Sequence, residues 1–132
     1  LGSVYAQERT SNFDLRTQKT IFQIKKIEGK NSEQINLKSS ISGQYSVDHK
    51  LNTQSQMAKK IDIVTAQKLD DEFVDKFINF KYLSKERTGK EKCIEIYSLD
   101  LRGETLKICS DEKAKVNELD KMIVKIKEEF LK

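Results

Sequence analysis

Lysine side chains in the first half of the chain are the best candidates for a chemical role. Six of them stand in or beside β-rich segments, at Lys25, Lys26, Lys30, Lys38, Lys59 and Lys60. Each carries a point charge that can meet a phosphate or carboxylate without the two-pronged geometry of arginine. These six lysines are therefore candidates for binding an anionic group.

The distribution of charge supports an anionic partner. Residues 1–66 hold ten Lys/Arg and six Asp/Glu, whereas residues 67–132 hold fifteen of each, so the whole net charge of +4 lies in the first half. A modest excess of this kind suits an anionic membrane surface better than a strong nucleic-acid binder. It is equally consistent with a charge that only aids solubility.

Other polar residues do not form a catalytic pattern. His49 is the only histidine, and its polar neighbours favour a turn residue over a catalyst or a metal ligand. The acidic run at residues 70–72 is typical of the start of a helix. A basic loop at residues 84–91 is diluted by glutamates and indicates a solvated loop. We therefore predict no enzyme activity and no cofactor.

Two cysteines, Cys93 and Cys109, lie near opposite ends of a predicted hairpin. Their spacing of sixteen residues does not match a zinc pattern, and the chain has no CxxC motif. The sequence leaves open whether they form one disulfide or remain two buried thiols.

Alternating apolar residues predict most of the elements that must position these side chains. Period-two patterns indicate three strands before residue 48, then a fourth at residues 59–65 and a fifth at residues 78–82, separated by a short helix. A hairpin follows, with Asp100 and Gly103 fitting a type I turn with a bulge. The prediction is a mostly-β (α+β) domain with seven antiparallel strands.

A long amphipathic helix ends the predicted domain. Ser110 is a suitable cap, and apolar residues then step by three and four along one face for about twenty residues. Residues 1–17 have no clear period and are assigned to an arm, in which residues 1–3 resemble a vector remnant and residues 4–6 could instead be the tail of a signal peptide. A single domain is expected at residues 18–132.

The order of seven strands followed by one helix resembles a pleckstrin homology domain, as do the last hairpin and the run from Thr105 through the helix, TLKICSDEKAKVNELDKMIVKIKEEF. The lysine-rich composition without proline is similar to such domains of apicomplexan parasites. The resemblance implies a curled sandwich or barrel capped by the helix, with headgroup phosphates bound by the first two strands and their loop. It therefore implies that Lys25, Lys26, Lys30 and Lys38 gather at one rim and bind an anionic group, with Lys59 and Lys60 beside them. The Lys/Arg-x-Arg pattern of the second strand is absent, so the resemblance implies a simpler anionic lipid, such as phosphatidic acid, as well as a phosphoinositide.

Three functions follow as expectations. The first is a monomeric peripheral membrane module of the cytoplasm that binds anionic lipid through the six lysines. The second is a protein-interaction module on the same fold without lipid binding. The third is a secreted or periplasmic β-domain with a Cys93–Cys109 disulfide. No apolar run is long enough to span a membrane, and no nucleic-acid partner is expected.

Overall fold

The computed structural model describes residues 18–83 and 93–132, which form six strands and two helices. The predicted arm at residues 1–17 and the predicted basic loop at residues 84–91 lie outside the described residues. The strands are β1 (Lys19–Glu28), β2 (Asn31–Ser39), β3 (Tyr45–Leu51), β4 (Gln54–Ile61), β5 (Glu95–Leu101) and β6 (Glu104–Cys109). The helices are α1 (Ile63–Tyr82), between β4 and β5, and α2 (Lys113–Phe130), which follows β6.

All described strands belong to one antiparallel sheet with the order β4-β3-β2-β1-β5-β6. The first four strands form a meander, and the β5–β6 hairpin is added against β1. The predicted hairpin is confirmed, but its turn is not the predicted type I turn with a bulge: Arg102 and Gly103 have φ of 49° and 91° between the paired Leu101 and Glu104, which is typical of a two-residue type I′ turn. The Asp100 side chain accepts from the Gly103 N–H at 3.1 Å. The mostly-β antiparallel class is confirmed, but the described residues supply six strands where seven were predicted, and the sheet does not close into a sandwich or barrel.

Helix α1 replaces the predicted short helix and fifth strand. Its buried side chains recur every three or four residues along twenty residues: Ala66, Leu69, Phe73, Phe77 and Phe80. Asp62 caps it by accepting from the Thr65 N–H at 2.7 Å, so the predicted fourth strand ends at Ile61. The alternation at residues 78–82 was therefore misread, because Phe77 and Phe80 satisfy a helical period. The acids at residues 70–72 lie inside this helix and not at its start.

The C-terminal helix is confirmed, and its predicted cap is wrong. Helix α2 begins at Lys113 with Glu112 in the cap position, two residues after Ser110. It crosses the strands in turn: Asp120 lies against Lys26 of β1, Lys127 against Glu33 of β2, and Lys59 of β4 reaches the carbonyl of Lys132 at 3.4 Å. The contact from Lys115 to the Phe80 and Leu83 carbonyls makes α1 and α2 antiparallel.

Both helices cover the same face of the sheet, and the core lies between them and the strands. Phe22 of β1 and Phe73 of α1 stack at its centre with ring centroids 4.2 Å apart. The remaining core side chains come from alternate strand positions and from the inner faces of both helices: Ile24, Ile35, Leu37, Val47, Ala66, Leu69, Phe77, Phe80, Tyr97, Leu99, Ile108, Leu119, Met122, Ile123 and Ile126. We call this side the covered face, and the other side, which neither helix covers, the open face.

Candidate functional site

The six predicted lysines do not form one cluster. Side chains directly opposite each other in an antiparallel pair share a face, and the register puts Lys25, Lys38 and Lys60 on the open face. Lys26 and Lys59 pair with Glu33 and Val47 and belong to the covered side. Lys30 lies in the exposed β1–β2 turn. The expected single rim is therefore divided between two faces.

The open face carries two further lysines that the sequence interpretation missed. Lys50 of β3 is opposite Gln34, and Lys107 of β6 is opposite Ser98. Five of the six described strands thus contribute one lysine each to this face. The acids that the register assigns to it are Asp48, Asp100 and Glu95, which pair with Asn36, Gln23 and Cys109, so five lysines outnumber three acids on this face.

These lysines are arranged in rows across the strands. Opposite positions connect Lys107, Ser98, Lys25, Gln34 and Lys50 into one row over β6, β5, β1, β2 and β3. Because neighbouring strands lie about 4.8 Å apart, lysines in every second strand stand roughly 10 Å apart. Lys38, Ser46 and Lys60 form a second row with the same alternation.

A hydrogen-bonded strip separates the two rows. Gln23 donates through Nε2 to Asn36 Oδ1 at 2.8 Å, and Asn36 donates through Nδ2 to Asp48 Oδ1 at 2.7 Å. Lys38 Nζ completes the strip with an ion pair to Asp48 Oδ2 at 2.8 Å. Asn36 and Asp48 are 1% and 6% exposed, so the carboxylate is satisfied by its neighbours and the strip holds the strands in register.

Four of the five open-face lysines have no acidic side chain within ion-pair distance among the described residues. Lys38 is paired with Asp48, whereas Lys25, Lys50, Lys60 and Lys107 make no ion pair within residues 18–83 and 93–132. Lys60 and Lys107 are exposed, and Lys25 and Lys50 are half-buried along their stems. Together they present unneutralised ammonium groups on the open face.

On the covered face, Lys26 and its acidic neighbours form ion pairs and hydrogen bonds with one another. Lys26 Nζ lies 2.8 Å from Asp120 and 3.3 Å from Glu28, and its hydrogen bond with Asp120 raises the lysine pKa. Burial alone would raise the pKa of Asp120, but hydrogen bonds from Lys26 and Tyr97 outweigh it and hold that pKa low. Burial, reinforced by the bond to Asp120, raises the pKa of the Tyr97 hydroxyl. The phenol therefore acts as a neutral donor that fixes α2 on the sheet.

His49 lies within β3 and not in a turn, which corrects the prediction for it. Its Nε2 is 2.8 Å from Glu33 Oε2, and Lys127 Nζ of α2 reaches the same oxygen at 2.7 Å. Burial opposes ionisation of Glu33, but the bonds from Lys127 and His49 prevail and lower its pKa. This cluster attaches the last turns of α2 to the sheet and leaves no free nucleophile or base.

Two other features carry no site. A groove of about 580 Å³ between the helices is lined by three acids and three lysines along with Asn79 and Met122. The formal charges of its lining therefore cancel, and it does not select for an ion of either sign. Cys109, Asp111 and Glu112 come close enough to hold a metal within the described part of the chain. The Cys109 sulfur, however, forms a disulfide with Cys93, which removes the thiolate that a metal would need.

No family model, curated protein or solved structure matches this chain. Neither α1 nor α2 has the long apolar stretch that a membrane-spanning helix requires.

Proposed function

We propose that this chain is a non-catalytic module that binds an anionic lipid surface through the open face of its sheet. The observation that carries the proposal is the row of Lys107, Lys25 and Lys50, repeated by Lys38 and Lys60. The proposed partner, an anionic lipid, is the one that the resemblance implied, but the proposed site differs. It excludes Lys26 and Lys59, which belong to the covered side, and includes Lys50 and Lys107 of the open face.

Electrostatic arithmetic makes such binding feasible. Each lysine near an anionic bilayer contributes about 1 kcal/mol, so three of them contribute about 3 kcal/mol, or roughly a hundredfold in affinity. Spacing of roughly 10 Å lets each ammonium group meet a separate headgroup. Ser98 and Gln34, which alternate with the lysines, supply neutral hydrogen-bonding groups between the charges.

The composition of the face favours lipid over single-stranded nucleic acid. Proteins that bind single strands stack bases on aromatic side chains. The aromatic residues of the described strands, Phe22, Tyr45 and Tyr97, belong to the core or pack against it. The open face, as far as it is described, therefore offers charge and hydrogen bonds without a stacking platform.

Vesicle sedimentation tests the proposal. The wild-type chain should pellet with phosphatidylcholine vesicles that contain phosphatidic acid or phosphatidylserine, should stay in solution with phosphatidylcholine alone, and should be released by high salt. The triple variant K25Q/K50Q/K107Q should bind about a hundredfold more weakly.

A matched control removes the same charge from the helical layer. Lys68, Lys113 and Lys121 are exposed on α1 and α2, so K68Q/K113Q/K121Q should bind like the wild type. An equal loss of vesicle affinity in both triple variants would mean that binding depends only on the net charge of the chain. If the wild type bound phosphatidylcholine vesicles equally well with and without anionic lipid, the proposed function would be rejected.

The disulfide favours a second candidate, a secreted or periplasmic binding domain. Cys93 and Cys109 are bonded in the structure, and such bonds persist mainly in oxidising compartments. This favours a location outside the cytoplasm and does not alter the open face. Titration of free thiols in natively isolated protein tests it: no free thiol is expected, and two thiols per chain would return the domain to a reducing compartment.

A further inference from the structure

Three exposed aliphatic side chains lie at the same end of the sheet. Ile41, Ile63 and Val64 are 60%, 52% and 71% exposed, and we call them the apolar corner. Ile41 lies in the β2–β3 loop, while Ile63 and Val64 open α1 directly after β4. The last residue of β4, Ile61, pairs with Tyr45, the first residue of β3. The loop and the helix start are therefore neighbours at the same end of adjacent strands.

The backbone around the corner holds these side chains outward. The loop closes on itself, because the Ser40 N–H donates to the Gln44 carbonyl at 2.8 Å and the Gly43 N–H donates to the Ser40 carbonyl at 3.1 Å. At the helix start, Asp62 fixes the first turn, and the first buried residue of α1 is Ala66. Exposure of the corner is thus a property of ordered structure and not of a loose end.

Lysines lie at the same end of the sheet as the apolar corner. Lys19 pairs with Ser39 beside the loop, and Lys60 pairs with Ser46 near the end of β4. Asp62, directly before Ile63, is also at this end, and its Oδ1 accepts from the Thr65 N–H in capping α1. Aliphatic groups beside lysines match the boundary between anionic headgroups and acyl chains, whereas lysines deter a purely apolar protein contact.

We propose that the apolar corner enters the headgroup region of an anionic bilayer, with Ile41 and Val64 as anchors and Lys60 at the phosphate level. This inference rests on the proposed function and deepens it by fixing which end of the open face meets the membrane. The charged rows supply attraction at a distance, and the corner supplies burial of apolar surface.

Tryptophan scanning tests the orientation, since the chain contains no tryptophan. I41W and V64W should each show a blue-shifted emission with phosphatidic-acid vesicles, quenched by brominated acyl chains, and no change with phosphatidylcholine vesicles. V124W is the matched control, because Val124 is 54% exposed on α2. Its emission should not move.

A loss-of-anchor variant measures the contribution to binding. I41S/V64S should weaken sedimentation with phosphatidic-acid vesicles about tenfold, and V124S should leave it unchanged. Circular dichroism confirms that the variants keep their fold.

The outcomes separate the inference from the function. Vesicle binding with an unshifted indole at positions 41 and 64, or with a shifted one at position 124, overturns the inference and leaves the proposed function intact. A concentration-dependent blue shift without vesicles assigns the corner to contact between copies of the chain and also overturns it. Failure of the wild type to bind anionic vesicles rejects both.

Discussion

Lys25 and Lys26 are neighbours in β1 and yet belong to different environments. Lys26 lies on the covered face, where Asp120 of α2 binds it at 2.8 Å and Glu28 at 3.3 Å. Lys25 lies on the open face, opposite Gln34 and Ser98, without an ion pair in the described part of the chain. The comparison teaches that the same residue type is held in an ion-pair network on one face and stands outside such a network on the other, which is the face that we propose binds lipid.

The same contrast extends to the two faces as a whole. On the covered face, Glu33 joins His49 and Lys127, so charges hold α2 to the sheet. On the open face, the Asn36–Asp48–Lys38 strip holds the strands in register and leaves the flanking lysines available. Changes on the covered face should therefore alter stability, and changes on the open face should alter binding.

The largest expected difference lies between Phe22 and Gln23. Phe22→Ala removes a fully buried ring stacked on Phe73 and should lower the free energy of unfolding by about 3–5 kcal/mol. Gln23→Ala removes hydrogen bonds on the open face and should cost about 1 kcal/mol. Urea unfolding measures both, and equal losses would contradict the division of the sheet into two faces.

The disulfide should contribute stability without taking part in binding. It closes a sequence separation of 16 residues between Cys93 and Cys109, for which loop-closure entropy predicts about 3 kcal/mol. Cys93→Ser with Cys109→Ala should lower the unfolding free energy by that amount while vesicle affinity stays unchanged below the unfolding transition. A parallel loss of affinity would show that the hairpin end contributes to the interface.

Acid should weaken the covered face selectively. The folded-state pKa values of Glu33 and Asp120 lie below their ordinary values of 4.5 and 3.8, so their stabilising effect is present above those values and is lost as the pH falls through the lowered ones. Because both carboxylates are partly exposed, each should contribute less than about 1 kcal/mol. Unfolding measured from pH 6 to pH 3 should have a shallower slope in E33Q/D120N, whereas K25Q should keep the wild-type slope.

The smallest expected effect on stability concerns the two adjacent lysines. Lys26→Gln removes the bond to Asp120 and should lower the unfolding free energy by less than about 1 kcal/mol, whereas Lys25→Gln should change it by less than about 0.3 kcal/mol. Chemical unfolding of the two single variants checks the difference. A larger cost at Lys25 would place an unrecognised partner on the open face.

Local patterns in the sequence predicted the individual strands and helices better than the order of the strands in the sheet. The last hairpin follows from Asp100, Gly103 and the flanking alternation, and α2 follows from its apolar stripe. The stretch after Ile61 was misread because Ile61, Ile63 and Val64 are β-branched, while the cap at Asp62 and the spacing of Phe73, Phe77 and Phe80 favour a helix. Tertiary packing of those rings against Phe22 decides the outcome.

The candidate site was only half predictable for a geometric reason. Consecutive strand residues point to opposite faces of the sheet. Only one lysine of Lys25–Lys26, and only one of Lys59–Lys60, can therefore lie on the open face. Lys50 and Lys107 join it through the register with Gln34 and Ser98, and that pairing depends on strand order. The insertion of β5 beside β1 is a long-range contact that no local pattern reveals.

Vesicle titration of Lys25→Gln beside Lys26→Gln tests the central claim most directly. Both variants lose one positive charge from the same strand, so net charge cannot distinguish them. We expect Lys25→Gln to weaken binding to phosphatidic-acid vesicles about fivefold and Lys26→Gln to bind like the wild type. Equal weakening, or a larger loss with Lys26→Gln, would contradict the assignment of binding to the open face.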